Sequence, residues 1–230
     1  FHLLGRTGFV PDDTEQAALV AQSLVRHPNA LDRCVRDFRR ALLGWFTRLP
    51  WGVGLATIRA CGLIALGMKQ SGVMSAGNGA AMRAAIVGTF FADRPDDRVR
   101  FGQALAEVTH RDPRAVEGAL YVAELAAACV NSPVGTPAEA CQAIARPIVT
   151  HPELGAAIDR ARDLALRGAS SREAAQACGT TGFVVHTVPF ATFGLLRHGD
   201  DNQPLNALTE MIGEGGDTDS IGAILGAWLG

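Results

Sequence analysis

From Leu31 onward, apolar residues return every three or four positions: Leu31, Cys34, Val35, Phe38, Leu42 and Trp45 form one stripe. That spacing follows the 3.6-residue turn of an α-helix and gives the helix a single face to bury. Val116, Leu120, Ala123, Ala127 and Val130 repeat the pattern. Alternation at period two, the mark of a half-buried strand, is missing along the chain. The chain is therefore predicted to be all-α, roughly ten helices packed as one compact multi-helix bundle. The whole span 1–230 reads as a single domain.

Punctuation between the stripes fits that reading. Asn29 is placed to cap the helix from Leu31, and Pro50 lies just past its end. Thr136-Pro137-Ala138-Glu139 and Ser170-Ser171-Arg172-Glu173 read as capping boxes, and Gly168 and Gly179 suit helix ends. Alanine and glycine are abundant and there is a single tyrosine, so helices faced with small residues can approach closely.

A chain of 24.2 kDa can bury roughly 70% of its extended surface, enough for a core without disulfides or structural metal. With 48% hydrophobic and 19% charged residues it belongs with globular proteins. A net charge of −2, and arginines scattered in sequence with Lys69 the one lysine, leave no nucleic-acid footprint. No uncharged apolar run approaches the ~18 residues of a membrane span. Five widely spaced cysteines (Cys34, Cys61, Cys129, Cys141, Cys178) without a C-x-x-C argue against a disulfide framework or zinc site, and for reduced thiols in the cytoplasm. The opening FHLLGRTGFV lacks both a signal-peptide pattern and a methionine, so the sequence is expected to be part of a longer chain.

Four polar or glycine-rich patches interrupt the helices. Pro11-Asp12-Asp13-Thr14-Glu15 opens a helix; its carboxylates suit either a helix start or a divalent-cation site. Gly215-Gly216-Asp217-Thr218-Asp219-Ser220 precedes the apolar IGAILGAWLG and offers hard oxygen donors for magnesium or calcium. It is no EF-hand: Ile221 and Trp228 stand where that loop needs ligands. No Lys or Arg lies near it in sequence to neutralise it, which strengthens the cation reading beside that of a capped helix start. Ser75-Ala76-Gly77-Asn78-Gly79-Ala80-Ala81-Met82-Arg83 is a glycine-rich loop entering a helix, either an anion cradle or a packing turn, and lacks a P-loop ending. Thr109-His110-Arg111-Asp112-Pro113 joins two helices, Asp112 capping the second; His110 is either a phosphate donor or idle.

In combination these patches resemble the ADP-ribosylglycohydrolase family, which includes the enzyme that reactivates dinitrogenase reductase. The matching stretches are PDDTEQ at Pro11–Gln16, SAGNGAAMRAA at Ser75–Ala85, THRDPRAVEGA at Thr109–Ala119, TGFVVHTVPFA at Thr181–Ala191 and GGDTDSIGAILGAWLG at Gly215–Gly230. They run in family order, the first and last being the most specific.

The resemblance implies an all-α fold holding two magnesium ions, or manganese, on Asp12, Asp13, Asp217, Asp219 and Ser220. It implies that Ser75, Gly77, Asn78, Gly79 and His110 cradle the diphosphate of ADP-ribose, with Gly182 and Phe183 toward the nucleoside. The implied activity is metal-dependent hydrolysis of the glycosidic bond between ADP-ribose and an acceptor, arginine-linked protein or a related small conjugate. The cations would orient the ribose hydroxyls and activate water for attack at C1, with Asp13 or Asp219 taking the proton. A monomer is expected. Pro11 replaces the family's usual Ser or Thr, and Gly52 stands where many members have Asp. These departures motivate the alternative of a non-catalytic ADP-ribose binder. A metal-dependent phosphohydrolase is weaker, for want of a suitable His-Asp set. The family's opening helix, with a glutamate near the metals, and its final helices are expected to lie outside Phe1–Gly230.

Overall fold

The computed structural model describes residues 2, 3, 7, 8, 10–50, 52–201 and 203–230. Twelve α-helices carry the described chain, more than the roughly ten expected. α1 (Asp12–Arg26), α2 (Leu31–Phe46) and α3 (Leu55–Ala65) lead to a 3₁₀ turn at Asn78–Arg83. α4 (Ala85–Phe90), α5 (Pro95–Glu107) and α6 (Pro113–Asn131) follow, then α7 (Ala138–Ala145) with a short 3₁₀ turn at Arg146–Ile148. α8 (Pro152–Leu166), α9 (Ser171–Cys178), α10 (Val184–His198), α11 (Pro204–Gly213) and α12 (Thr218–Leu229) complete it. The one sheet among the described residues is a two-residue hairpin, β1 (His2–Leu3) against β2 (Thr7–Gly8). The architecture is all-α.

α6 and α10 form the buried axis. Twelve of the nineteen residues of α6 and eleven of the fifteen of α10 are buried, so neither has the polar face of a surface helix. Thr192 donates to the Tyr121 hydroxyl between them, and Trp228 Nε1 of α12 donates to Val122 O of α6. The remaining helices pack around this pair, and their buried apolar residues join in one continuous core. Small residues set the spacing: a Cβ at Gly88 of α4 would lie 2.1 Å from Ala123 O of α6. Only a hydrogen at that position lets the two backbones meet.

The stripe of α2 is buried at Cys34, Phe38, Leu42 and Trp45; that of α6 ends earlier than expected, since Val130 is exposed. Ser170 and Glu173 do form a capping box, Asp112 accepts from Arg114 N, and Gly168 and Gly179 take left-handed φ at helix ends. Two caps are corrected. Asn29 Oδ1 accepts from Arg94, leaving Ala30 as an uncapped N-cap. Thr136 donates to Pro133 O, and the first amide of α7, Ala138 N, is capped from a distance by Asp200. A third correction concerns the glycine-rich loop, which enters a 3₁₀ turn rather than an α-helix. All five cysteines are free thiols.

Candidate active site

The N-terminus of α1 and the N-terminus of α12 meet, and each brings acidic residues to its first turn. Helix N-termini carry unpaired N–H groups and the positive end of the macrodipole, which favours carboxylates there. Capping takes little of the acids, Asp219 Oδ1 accepting from Ser220 N at 3.2 Å in the first turn of α12. Pro11 and Asp217 are the N-caps, and neither helix has a side-chain cap hydrogen bond. One carboxylate oxygen each from Asp12, Asp13 and Asp219 lies within 4.8 Å of the others.

Asp13 is the anomaly. It is 1% exposed, and neither carboxylate oxygen has a hydrogen-bond partner among the described residues. Burial pushes its pKa up, the nearby Ser220 hydroxyl opposes the rise, and the Asp219 charge adds to it. Burial also pushes Asp12 up to about 7, helped by the charges of Asp13, Asp219 and Asp217. Asp217 is raised to about 6, burial again being the largest cause, while the bond from Asn78 Nδ2 (2.7 Å) opposes the rise. Orphaned carboxylate oxygens of this kind are unstable as ions without a counter-charge. A hard oxygen donor set of this size fits a divalent cation.

A cavity of about 310 Å³ opens beside the acids. Asp12, Asp217, Asp219 and Ser220 line one side; Ser75, Gly77, Asn78, Gly79, His110 and Gly182 line another. Two of the residues singled out in the sequence are not in the lining. Asp13 sits behind Asp12, and the Phe183 ring lies between Arg114 (5.3 Å from its centroid) and the His186 ring. Gly52, Gly54, Leu55, Ala56, Thr57 and Met82 complete the wall. Of these the sequence had flagged Gly52 and, within the glycine-rich patch, Met82; the start of α3 carries no motif.

Backbone hydrogen bonds lace the wall together. Val73 N donates to Thr109 O and Arg111 N to Val73 O, so the segment before the glycine-rich loop pairs with the His110 loop. Asn78 N donates to Gly182 O, Val184 N to Ala76 O and Asp217 N to Thr180 O. Asn78 Nδ2 also reaches Thr187 Oγ1. At Gly79 a Cβ would come within 2.9 Å of His110 Cε1, so the absence of a side chain lets the imidazole approach the loop.

Beneath this wall lies Arg83, fully buried with its pKa lowered to about 10 by desolvation. No basic residue stood near the acids in sequence, but in space Arg83 is linked to them. Its Nη1 donates to Gln16 Oε1 (2.8 Å) and Gly79 O (2.6 Å), and Gln16 Nε2 donates to Asp12 Oδ2 (3.0 Å). Its Nη2 donates to Thr109 Oγ1 at 2.7 Å. That hydroxyl lies 2.8 Å from His110 Nδ1, and with its lone pair facing Arg83 its proton is free for the imidazole. Nδ1 is then the acceptor, and the proton of neutral His110 sits on Nε2, beside Gly77 and Gly79. Burial, and then the Arg83 charge, hold the His110 pKa down to about 3. His110 is a neutral donor.

The sequence model of the ADP-ribosylglycohydrolase family matches residues 1–230. The chain belongs to that family. It is similar to an uncharacterized protein of Archaeoglobus fulgidus, 28% identical over 223 residues that make up 95% of this chain and 70% of the other. A solved structure of an ADP-ribosylglycohydrolase-related protein complex shares the fold with a TM-score of 0.71 and 27% identity, over 96% of this chain and 70% of that one. Membership makes a glycohydrolase role the coarse functional assignment. The two departures from the family's motifs both lie at Asp12. Pro11 precedes it without a side-chain oxygen, and Gly52 (φ +81°) faces it, a Cβ there lying 3.7 Å from Asp12 Oδ1.

Proposed function

We propose that the protein is a divalent-cation-dependent hydrolase that cleaves the glycosidic bond between ADP-ribose and an acceptor, an arginine-linked protein or a related conjugate. The observation that carries this reading is the orphaned, buried carboxylate of Asp13, grouped with Asp12 and Asp219 at the head of the cavity. Asp12, Asp13 and Asp219, with Asp217 and Ser220 beside them, would hold two magnesium or manganese ions. Bound there, the cations supply the charge that orients ribose hydroxyls and makes water nucleophilic at neutral pH.

The remaining work falls to the chain itself. The glycine-rich loop leaves room for the diphosphate, and Nε2–H of His110 donates to one of its oxygens. Because His110 stays neutral, that bond does not change strength across the physiological pH range. Asp219, the exposed member of the triad, is the candidate base for the proton of the attacking water. Gln16 fixes the orientation of Asp12, and Asn78 that of Asp217. A cavity of this volume takes the ribose and diphosphate, with the nucleoside toward Gly182 and Phe183 at its edge.

No described helix is long and apolar enough to cross a membrane, and five free thiols support a reducing, cytoplasmic setting. A monomer with one such site per chain is the working unit. The test is release of ADP-ribose from arginine-linked ADP-ribosyl protein, with magnesium and then with EDTA. Metal-dependent release supports the hydrolase. ADP-ribose binding without release from arginine-, serine- or acetyl-linked substrates would favour the binder that Pro11 and Gly52 suggest.

A further inference from the structure

A second, larger concavity of about 750 Å³ lies between α2, the C-terminal end of α3 with the turn after it, and the end of α5. Its floor is apolar, built from Leu31, Val35, Ile64 and Val108. Its rim is basic. Arg36, Arg40, Lys69 and Arg111 are exposed there, and none has a carboxylate within ion-pair distance among the described residues.

A fifth cation, Arg39, runs beneath the rim and donates to Met68 O, Lys69 O (2.9 Å) and Ser71 Oγ (2.7 Å). Ser71 in turn donates to Val108 O. These acceptors are neutral, so Arg39 shapes the turn while its charge stays uncompensated. Asp32 and Glu107 are the two carboxylates of the lining, and Glu107 already accepts from Gln103. The groove therefore carries +3 in a chain whose net charge is −2. Arg36 and Arg40 stand one turn apart on α2; Asp32 and Asp37 lie one turn before them on the helix, yet neither is within ion-pair distance of these arginines, and Asp37 pairs with Arg26 instead.

The groove is close to the candidate active site. α3 gives its first turn to the cavity and Ile64 to the groove, which are about 10–14 Å apart at 1.5 Å per residue. The loop after α5 divides them, with His110 lining the cavity and Arg111 the groove.

We propose that this groove docks an acidic, partly apolar polypeptide segment of the protein that carries the ADP-ribose; the identity of that protein as substrate rests on the function proposed above. Charge complementarity selects the acidic partner, and the apolar floor takes its hydrophobic side chains. Among the described residues the lining contains no aromatic side chain to serve as a stacking platform for a single-stranded nucleic acid.

The test uses fluorescence anisotropy with the intact chain at low and at physiological ionic strength. The probes are a short peptide alternating Glu and Leu, the same peptide with Ser for Leu, and a single-stranded oligonucleotide. The Glu–Leu peptide is expected to bind tightest and to weaken with salt. Arg36→Glu combined with Arg40→Glu, both exposed on α2, is expected to weaken it about tenfold or more while the thermal midpoint holds. Arg172→Glu on α9 is the charge control and should change little. No binding at low salt, equal binding by the double variant, equal binding of the Ser peptide, or tighter binding of the oligonucleotide would each overturn the proposal. In turnover, the double variant should raise KM for an ADP-ribosylated protein and leave a small ADP-ribosyl conjugate unchanged. A protein inactive on every conjugate refutes the hydrolase reading, whereas the peptide titration still reads the groove.

Discussion

Substituting Asp12→Asn in the presence of a chelator isolates the electrostatic cost of assembling the acid cluster without its cation. Asp12 titrates near 7 in the folded chain against 3.8 for a free side chain, so the native state holds a proton that the unfolded state has lost. Stability from this group is greatest below the unfolded value and is lost as pH rises through 7. Going from pH 8 to pH 6 it stabilises the folded state by about 1.4 kcal/mol. Asp217, raised to about 6, adds about 0.4 kcal/mol of the same sign. His110 opposes them. Held down to about 3, it stays neutral when folded while its unfolded form protonates near 6.5, a loss of about 0.8 kcal/mol over the same interval. The net gain of about 1 kcal/mol should raise the melting temperature of the EDTA-treated protein by about 2–4 °C at pH 6 relative to pH 8. In Asp12→Asn that gain should vanish or change sign. With magnesium the wild type should become more stable toward pH 8, because cation binding requires ionised carboxylates. Calorimetric scans of both proteins across the interval decide it. A chelated wild type that is more stable at pH 8, or a variant that keeps the full response, would refute the charge crowding assigned to Asp12.

Asp219→Asn should reduce ADP-ribose release by more than the about 10–100-fold typical of losing an outer-shell partner, with little change in the melting temperature because the side chain is exposed. Thr109→Val removes the hydroxyl between Arg83 and His110, and should cost about 1–3 kcal/mol for the buried groups left unpaired. Nitrogen chemical shifts of His110 should then lose the single Nε2–H tautomer, and KM should rise more than kcat falls. Gly88→Ala should destabilise by at least the about 1–3 kcal/mol of ordinary overpacking, since α4 must move off Ala123 O. Denaturant midpoints measure that loss, and an unchanged midpoint would contradict the close approach of α4 and α6.

Legibility tracked distance along the chain. The α2 stripe, the Asp112 cap and the Ser170–Glu173 box depend on residues within a turn or two of each other, and they could be read directly. The Asn29 and Thr136 caps failed because competitors came from elsewhere: Arg94 takes Asn29, and Asp200 supplies the first amide of α7 from 62 positions away. The basic groove was half legible: Arg36, Arg39 and Arg40 sit within about one turn of α2, but Lys69 and Arg111 join them only when the chain folds. Most of the candidate site residues share one cavity because their motifs mark loops and helix starts that the fold turns the same way, while Asp13 and Phe183 lie outside its lining. The argument that the acids lacked a nearby cation needs a different foundation in three dimensions. Arg83 is close, yet it spends its hydrogen bonds on Gln16, Gly79 O, Leu105 O and Thr109, and none on a carboxylate. A protein that neutralised its acid cluster with arginine would aim the guanidinium at Asp12 or Asp13. Here it braces the scaffold from behind and leaves both oxygens of Asp13 unpartnered, the arrangement expected where the counter-charge is a bound cation.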